Sequence, residues 1–438
     1  MRRVFVLLHR YVGLALAAFL VVTGLTGAVI SWDHELDEWL NPHLIHAPQP
    51  AVSAHKQPDD PAPAKTPLDY VAEVEARHPE VKILLVPLSP EPGHSISYWA
   101  EPRFNPQTGR LHEVDFNQIF VDPANGQELG KREWGAVWPL SKENVVSFLY
   151  KLHFSLHIPA MWGTDHWGIW LLGIVGLFWT LDCFVGFYLT LPARRTSDAQ
   201  WTDKTFWARW KPSWLVRTER GAYKLNFDLH RAFGLWTWLL VFVIAFTGFS
   251  MNLYAEVFEP IMTTVSDLTP SIWTSREERP PRAWTRPVLS FSDILSRAPS
   301  AAKKQGISAP PGLLYYSPAL NIYEVEYYRA GDDHGSGGVG HPEIYFDGTD
   351  GRVLGMRKPW SGTAADIFVQ AQFPVHSGRI LGIPGRILIS LMGLVVALLS
   401  VTGVYIWYKK RFARLQVAWN RRKRELAARD APQMLKST

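Results

Sequence analysis

Four long apolar runs stand out against an otherwise mixed pattern of hydrophobic and polar positions. Three of them, residues 11–32, 232–255 and 387–408, contain no Asp, Glu, Lys or Arg. The fourth, residues 167–193, contains a single charged residue, Asp182. Because a helix needs about 20 mostly apolar residues to cross a bilayer, the pattern predicts four membrane-spanning helices. It excludes a wholly soluble enzyme and a transporter with a dozen spans.

The long segments between these spans have a different pattern. Residues 120–130 and 345–355 each place Asp-x-x-x-Gly between short apolar runs, which is typical of a strand, a tight turn and a second strand. Residues 68–78 are predicted to form a short amphipathic helix. We therefore expect two small α+β modules outside the membrane.

The two halves of the chain resemble each other. Residues 9–14 (HRYVGL) open span 1, and residues 230–235 (HRAFGL) open span 3. Residues 154–157 (FSLH) and 373–376 (FPVH) precede spans 2 and 4. Glycines of spans 2 and 4 also correspond at one offset: Gly168, Gly176 and Gly186 with Gly385, Gly393 and Gly403. Such parallel repeats predict a four-helix bundle with a pseudo-twofold axis, span 1 beside span 3 and span 2 beside span 4.

The predicted fold is a four-transmembrane-helix bundle with internal duplication and two periplasmic α+β modules. Its parts, in chain order, are the N-terminus with helix 1 (1–32), module 1 (33–152), helix 2 with a histidine-bearing segment before it (153–193), a cytoplasmic loop (194–229), helix 3 (230–255), module 2 (256–371), helix 4 with its own histidine-bearing segment (372–408) and a basic tail (409–438). Residues 47–67 are predicted to be a linker, and residues 425–438 to be disordered.

The distribution of charge along the chain is more informative about topology than the net charge of +5. Segment 194–229 has eight Lys/Arg and four Asp/Glu, and segment 409–438 has ten and two. Segment 33–152 has ten Lys/Arg and eighteen Asp/Glu. The positive-inside rule therefore predicts cytoplasmic termini and external modules. The basic tail fits this topology signal, so we expect lipid and no nucleic acid as its partner.

Histidine is the only abundant candidate ligand for a redox metal. Cys183 is the single cysteine, which excludes a disulfide within the chain, a cysteine-rich metal site and covalent c-type haem attachment. His9 and His230 occupy equivalent positions at the inner ends of spans 1 and 3, and His157 and His376 precede spans 2 and 4 on the outer side. Imidazoles on facing helices suit the two axial positions of haem iron, so the pattern predicts two b-type haems.

Neighbouring residues extend these two candidate sites. Arg10, Arg231 and Arg379 follow the candidate ligands closely and are predicted to bind haem propionates. His153 lies four residues before His157, so on one helix both would share a face, and either is a candidate ligand. Asp182 is predicted to pair with Arg10 or Arg231, to carry protons, or to make a structural hydrogen bond within the bundle.

The sequence resembles the PepSY-associated transmembrane family over both modules and all four spans. The residues that carry the resemblance are His9-Arg10-x-x-Gly13-Leu14, Leu152-His153-x-x-Leu156-His157-x-Pro159, Asp228-Leu229-His230-Arg231-x-x-Gly234-Leu235-Trp236 and Phe373-x-x-His376-Ser377-Gly378-Arg379. The resemblance implies an inner-membrane oxidoreductase with two histidine-ligated b haems that reduces Fe(III) held by a periplasmic siderophore.

The sequence leaves the electron donor and two other functions open. No predicted cytoplasmic segment is longer than about 40 residues, which is too short for a nicotinamide or flavin domain, so the donor is expected to be another protein, a quinol or a soluble reductant. One alternative is a quinone-linked cytochrome b with an unknown periplasmic acceptor, which Asp182 favours. The other is a membrane-anchored PepSY protein that regulates a protease without being an enzyme.

Overall fold

The computed structural model of the protein describes residues 1–48, 65–193, 205–219, 221–284, 288–332 and 334–434. The chain forms two compact units. The helical unit consists of Met1–Ala28, His153–Leu253 and Leu388–Thr438, and the sheet unit of Val29–Leu152 and Tyr254–Ile387. The predicted spans therefore belong mainly to one unit, and the predicted modules to the other.

The described residues form α-helices throughout both units and strands in the sheet unit. The α-helices are α1 (Arg2–Ile30), α2 (Asp33–Leu40), α3 (Pro42–Ile45), α4 (Val71–Arg77), α5 (Val145–Ser155), α6 (Trp167–Thr190), α7 (Phe206–Trp210), α8 (Ala222–Trp236), α9 (Trp238–Asn252), α10 (Glu259–Val265), α11 (Phe291–Lys304), α12 (Ala364–Ser377) and α13 (Ile383–Met434). The strands are β1 (Val81–Pro87), β2 (Ile96–Pro102), β3 (Phe104–Asn105), β4 (Arg110–Leu111), β5 (Gln118–Val121), β6 (Glu128–Arg132), β7 (Pro311–Ser317), β8 (Ile322–Tyr327), β9 (Glu343–Asp347) and β10 (Val353–Arg357).

Three of the four predicted spans are continuous helices, and the third is not. Within the described residues, α1, α6 and α13 are long and apolar enough to cross a membrane. The predicted third span is instead split into α8 and α9, which meet at an angle of 72°. The break is at Thr237, whose φ of −104° and ψ of 7° leave helical geometry. Its hydroxyl donates to the carbonyl of Phe233 at 2.7 Å, a local bond that competes with regular helical pairing.

The closest packing in the helical unit joins other pairs of spans than predicted. Gly24 of α1 lies against the main chain of α13, where a Cβ atom on Gly24 would be 2.7 Å from the carbonyl oxygen of Gly393. Gly176 of α6 lies against α9 in the same manner, with a Cβ position 3.0 Å from the amide nitrogen of Phe249. Span 1 therefore packs closely on span 4 and span 2 on span 3, two pairings that the sequence analysis did not predict. Small residues allow such close backbone approach between membrane helices.

Three predictions concern irregular segments of the chain. The predicted linker 47–67 and the predicted cytoplasmic loop 194–229 lie partly outside the described residues. Residues 425–438 were predicted to be disordered, yet α13 continues as a helix to Met434. Exposed basic residues such as Arg421 line this part of the helix, and Arg421 pairs with Glu425 one turn later.

The two predicted modules of the sheet unit share one antiparallel sheet. Its strand order is β10-β9-β8-β7-β1-β2-β5-β6. The halves join where β1 pairs with β7, with Leu85 opposite Tyr315 and Val86 opposite Leu314. The two predicted α+β modules are therefore joined edge to edge, which the sequence analysis did not predict. The pairing covers two strand edges that would otherwise expose unpaired backbone groups.

Each half of the sheet keeps its own helix and its own core. Helix α4 packs on one half through Val71 and Val74, and the amphipathic helix α11 packs on the other through Ile294 and Ala298. Burial of each large aliphatic side chain there contributes about 1.5–3 kcal/mol. The duplication seen in the sequence is thus present in the cores as well as in the spans.

The two predicted hairpins are confirmed. Strands β5 and β6 pair around a turn in which Asp122 accepts from the amide of Ala124, and β9 and β10 pair around a turn in which Asp347 accepts from Thr349. Gly126 and Gly351 have φ values of 74° and 73° in these turns, which is why glycine follows the aspartate at this spacing.

We expect Glu324→Gln to remove a pH dependence of stability in the sheet unit. Burial, with the nearby carboxylates of Glu343 and Glu326, raises the pKa of Glu324 from its ordinary value of 4.5 to about 8. The folded state therefore retains a proton that the unfolded state has lost, and the free energy of unfolding falls as pH rises through this interval. Melting temperatures of the purified chain at pH 5 and pH 8 should converge in the variant. Glu113→Gln, at an exposed position, is the control; equal pH dependence in both variants would contradict the expectation.

Candidate functional site

The inner histidine pair predicted from the repeat comes together in the helical unit. His9 belongs to α1 and His230 to α8, and their ring centroids are 6.1 Å apart with planes inclined by 58°. A metal–imidazole bond of about 2 Å on each side of one ion places two axial ring centroids roughly 6 Å apart. The separation of the two rings therefore fits one metal ion with two axial imidazoles.

Each ring has its Nδ1 atom occupied by the protein. His9 Nδ1 lies 2.8 Å from Oδ2 of Asp182 on α6. His230 Nδ1 lies 2.9 Å from the carbonyl oxygen of Leu399 on α13 and 3.2 Å from the hydroxyl of Thr402. An Nδ1–H that donates to a carboxylate or carbonyl selects the tautomer whose Nε2 carries the free lone pair. Nε2 is therefore the atom that both residues offer to a metal.

Two repeat-related glycines lie against these rings. A Cβ atom on Gly186 would be 3.5 Å from Cε1 of His9, and one on Gly403 would be 3.2 Å from Cε1 of His230. His9, at the start of span 1, therefore lies against the backbone of α6 in span 2. His230, at the start of span 3, lies against the backbone of α13 in span 4. The site keeps the repeat symmetry that the sequence showed, and the donor set suits a haem held without covalent attachment.

Asp182 belongs to this site rather than to an arginine pair. Its side chain is buried, and Oδ2 contacts His9 instead of the predicted Arg10 or Arg231. Of the three predicted roles, the hydrogen bond within the bundle is the one the contacts support. A buried carboxylate on the Nδ1 side of a candidate ligand fixes the ring and raises its basicity.

The two arginines that follow the inner histidines differ from each other. Arg231 pairs at 3.1 Å with Asp228, which is fully buried and also accepts from Arg217 at 2.7 Å. Arg231 also donates to the carbonyl of Pro212. Over the described part of the chain, no hydrogen bond or ion pair involves Arg10. Arg10 is thus the better placed of the two for an anionic ligand.

The outer candidates His153 and His157 do not share a helix face. Helix α5 ends at Ser155, and His157 has a positive φ of 54°, so the expected four-residue helical spacing between the two histidines is wrong. His153 resembles His230 in its surroundings. Its Nδ1 lies 3.1 Å from the hydroxyl of Thr26, and its Cε1 lies 2.9 Å from the Cβ position of Gly27.

The remaining candidates, His376 and Arg379, belong to the sheet unit. His376 is in the last turn of α12, shortly before Gly378, which ends the helix in a left-handed conformation with φ of 75°. Arg379 pairs with Asp33 at 3.2 Å and lies over the ring of Phe373. Whether these residues bind a cofactor remains a prediction.

Sequence reasoning missed several residues that position the histidines. Leu399, Thr402 and Thr26 contact the rings from other helices, and no local motif identifies them. A usable signal existed in the matched glycines of spans 2 and 4. Their spacing marked the helix faces on which His9 and His230 rest.

Comparison with known proteins agrees with the membrane architecture. Among curated proteins, none matches this chain. The family described as PepSY-associated TM region matches residues 6–410, which include all four predicted spans and most of the sheet unit. The chain therefore belongs to the PepSY-associated TM family and is a membrane protein.

Proposed function

We propose that the protein is a transmembrane electron carrier that holds a b-type haem between His9 and His230. The observation that carries this proposal is the placement of the two imidazoles with ring centroids 6.1 Å apart, each with Nδ1 bound to the protein, which leaves Nε2 as the atom that would bind a metal. His9 and His230 would hold the haem, which would supply one-electron transfer with no open position for a substrate.

The protein residues around the pair have distinct tasks. Asp182 and the carbonyl of Leu399 hold the two rings and set their tautomers. Gly186 and Gly403 let the rings lie against the helix backbones. Arg10 follows His9 in α1 and would supply a cation for a propionate. These residues belong to α1, α6 and α13, so three spans fix the ligand geometry together with α8.

A second b-type haem on the outer side is part of the proposal. Its candidate ligands in the helical unit are His153 and His157. The local geometry favours His153, because its ring is oriented by Thr26 in the way that Thr402 orients His230. Two haems, one near each membrane face, would carry electrons from the cytoplasmic side to the periplasm of a bacterial inner membrane.

The proposed acceptor is Fe(III) bound by a siderophore, and the donor is a quinol or a cytoplasmic reductase. Hard oxygen chelators hold Fe(III) better than Fe(II), so one-electron reduction releases the metal. The acceptor follows from the resemblance to ferric-siderophore reductases, and the histidine geometry supports the electron-carrying part. Asp182 contacts His9, so we assign its carboxylate to the inner site, and the quinone-linked cytochrome b stays the alternative.

The test is spectroscopic. A reduced-minus-oxidised spectrum of the purified chain should show b-type haem, and the dithionite-reduced protein should be reoxidised by a ferric siderophore. Absence of haem after expression with haem precursor would overturn the proposal. Reoxidation by quinone analogues alone would overturn the assigned acceptor.

We expect Asp182→Asn to raise the midpoint potential of the inner haem and to weaken haem binding by roughly 10–100-fold, the usual effect of losing an outer hydrogen-bond partner of a ligand. The carboxylate makes His9 a stronger donor and thereby stabilises the oxidised metal. Redox titration and haem transfer to a competing apoprotein measure the two effects. Asp165→Asn, at an exposed position in the same unit, is the control. An unchanged potential in Asp182→Asn would show that this carboxylate does not act on a ligand.

A further inference from the structure

Two histidines of the sheet unit are placed side by side by the backbone. His46 and His94 face each other in an isolated antiparallel bridge. The amide of Ala47 donates to the carbonyl of Gly93 at 2.9 Å, and the amide of Ser95 donates to the carbonyl of Ile45 at 2.8 Å. These bonds flank the two histidines, which makes them a non-hydrogen-bonded pair, the arrangement in which opposed side chains are closest. Their rings are stacked with centroids 5.2 Å apart and planes inclined by 21°.

A carboxylate from a neighbouring helix converges on both rings. Oε1 of Glu38, on α2, lies 3.3 Å from Nε2 of His46 and 3.5 Å from Nε2 of His94. The three ligand atoms all lie within 4.8 Å of one another. Two ligands held at about 2.0–2.1 Å by a tetrahedral ion are roughly 3.4 Å apart. The distances from Glu38 to the imidazoles are therefore those of ligands around a common metal.

Neighbouring residues hold Glu38 and His94 in place. Oε2 of Glu91 lies 2.8 Å from Nδ1 of His94, so this carboxylate orients the ring with Nε2 toward Glu38. Helix α2 is fixed beside it by Asp37, which accepts two hydrogen bonds at 2.7 Å from the buried Arg132. A carboxylate behind a histidine ligand is the usual outer partner in zinc and iron sites.

We propose that Glu38, His46 and His94 form a binding site for a divalent first-row transition-metal ion such as Zn²⁺ or Fe²⁺. Two imidazoles and one carboxylate are a donor set that both ions accept, with water in the remaining positions. The carboxylates of Glu38 and Glu91 balance the charge of the ion. The side chains of Glu38 and His46 are partly exposed, at 44% and 48%, so the ion can exchange with solvent. This site is distinct from the histidines of the helical unit and does not depend on the proposed electron transfer.

Metal selectivity distinguishes a metal-binding site from a cluster of ion pairs. Protonated histidines beside Glu38 would also account for the contacts, but that cluster has no affinity for a soft or borderline cation. Nitrogen ligands also discriminate against Mg²⁺ and Ca²⁺, which require oxygen ligands. Selective binding of Zn²⁺ over Mg²⁺ is therefore the property to measure.

The test uses the purified full-length chain in detergent, stripped of metal by a chelator, with Zn²⁺ as the probe in calorimetric titration. We expect one Zn²⁺ site that excess Mg²⁺ does not displace. The double variant His46→Ala/His94→Ala should lose it, with affinity reduced by at least about 100-fold, the upper end of the loss seen for outer partners alone. Glu91→Gln should weaken it by roughly 10–100-fold.

His43→Ala is the matched control, because His43 lies on the adjacent helix α3 and also faces a glutamate, Glu143, at 3.5 Å. It should bind Zn²⁺ like the wild type. Glu38→Gln, which leaves both histidines in place, tests the site again if the double variant does not fold. Unchanged Zn²⁺ affinity in Glu38→Gln and in a folded double variant, or displacement of Zn²⁺ by Mg²⁺, would overturn the proposal.

Discussion

Replacing His230 by glycine should reduce the haem content of the purified protein to about half, and replacing His9 should do the same. Each residue supplies one axial nitrogen of the proposed inner site, and neither has a second histidine within the pair to replace it. The outer haem should remain, so the loss should affect one spectral component only. Haem quantification by pyridine haemochrome, set against protein mass, measures the ratio. Added imidazole should partly restore the inner haem in His230→Gly, because the small ligand can occupy the space of the lost ring.

The controls for this experiment come from the same unit. His166 is exposed and precedes α6, and His166→Gly should leave the haem content unchanged. Size-exclusion chromatography separates loss of haem from loss of folding. Full haem content in a folded His230→Gly or His9→Gly protein would show that the pair does not hold a haem. Loss of both haems from a folded protein would refute the assignment of separate inner and outer sites.

The positions of the spans could be predicted from the sequence because uncharged apolar runs of this length are rare outside membrane-spanning helices. Three of the four spans are continuous helices as predicted. The break at Thr237 could not be predicted, because neither proline nor glycine marks it. The bend depends on this single residue leaving helical φ and ψ. The break affects the candidate site, since His230 is on α8 and approaches His9 from a helix inclined to the apolar part of the span.

Internal repetition was the most productive sequence signal for the candidate site. It selected His9 and His230 from fifteen histidines, and the structure brings their rings together. For the outer histidines, the repeat aligned His157 with His376, and the structure adds that α5 ends at Ser155, before His157. A repeat predicts which segments correspond, whereas the direction of a side chain depends on where each helix ends.

Pairing between distant segments lay beyond the sequence pattern. Hairpins such as β9 and β10 are local, and Asp-x-x-x-Gly identified both of them. The pairing of β1 with β7 joins residues more than two hundred positions apart, and neither strand carries a signal for its partner. The same limit applies to the metal ligands proposed in the sheet unit. Glu38, His46 and His94 are ordinary polar residues in the sequence until the backbone bridge brings them together.

The second large effect is expected where α1 and α13 touch. Gly24→Ala should destabilise the helical unit, because the new methyl group would be 2.7 Å from the carbonyl oxygen of Gly393 and 3.3 Å from the amide nitrogen of Ala397. Overpacking of this kind costs about 1–3 kcal/mol where side chains can yield, and main-chain atoms yield less than side chains. Gly393→Ala should have an equal effect, since its Cβ position is in turn against the carbonyl of Gly24. Thermal unfolding in detergent, followed by circular dichroism, measures both.

Gly13→Ala provides the matched control on the same helix, because a Cβ atom at Gly13 would meet no atom within 4 Å. Alanine favours a helix over glycine by about 1 kcal/mol, so this variant should melt at the same temperature as the wild type or slightly higher. Gly24→Ala gains the same intrinsic preference, and any net loss therefore comes from the contact between the helices. The double variant Gly24→Ala/Gly393→Ala should lose less than the sum of the single losses, because one separation of α1 from α13 relieves both methyl groups. Full additivity, or a Gly24→Ala protein as stable as Gly13→Ala, would show that the two helices do not pack through these glycines.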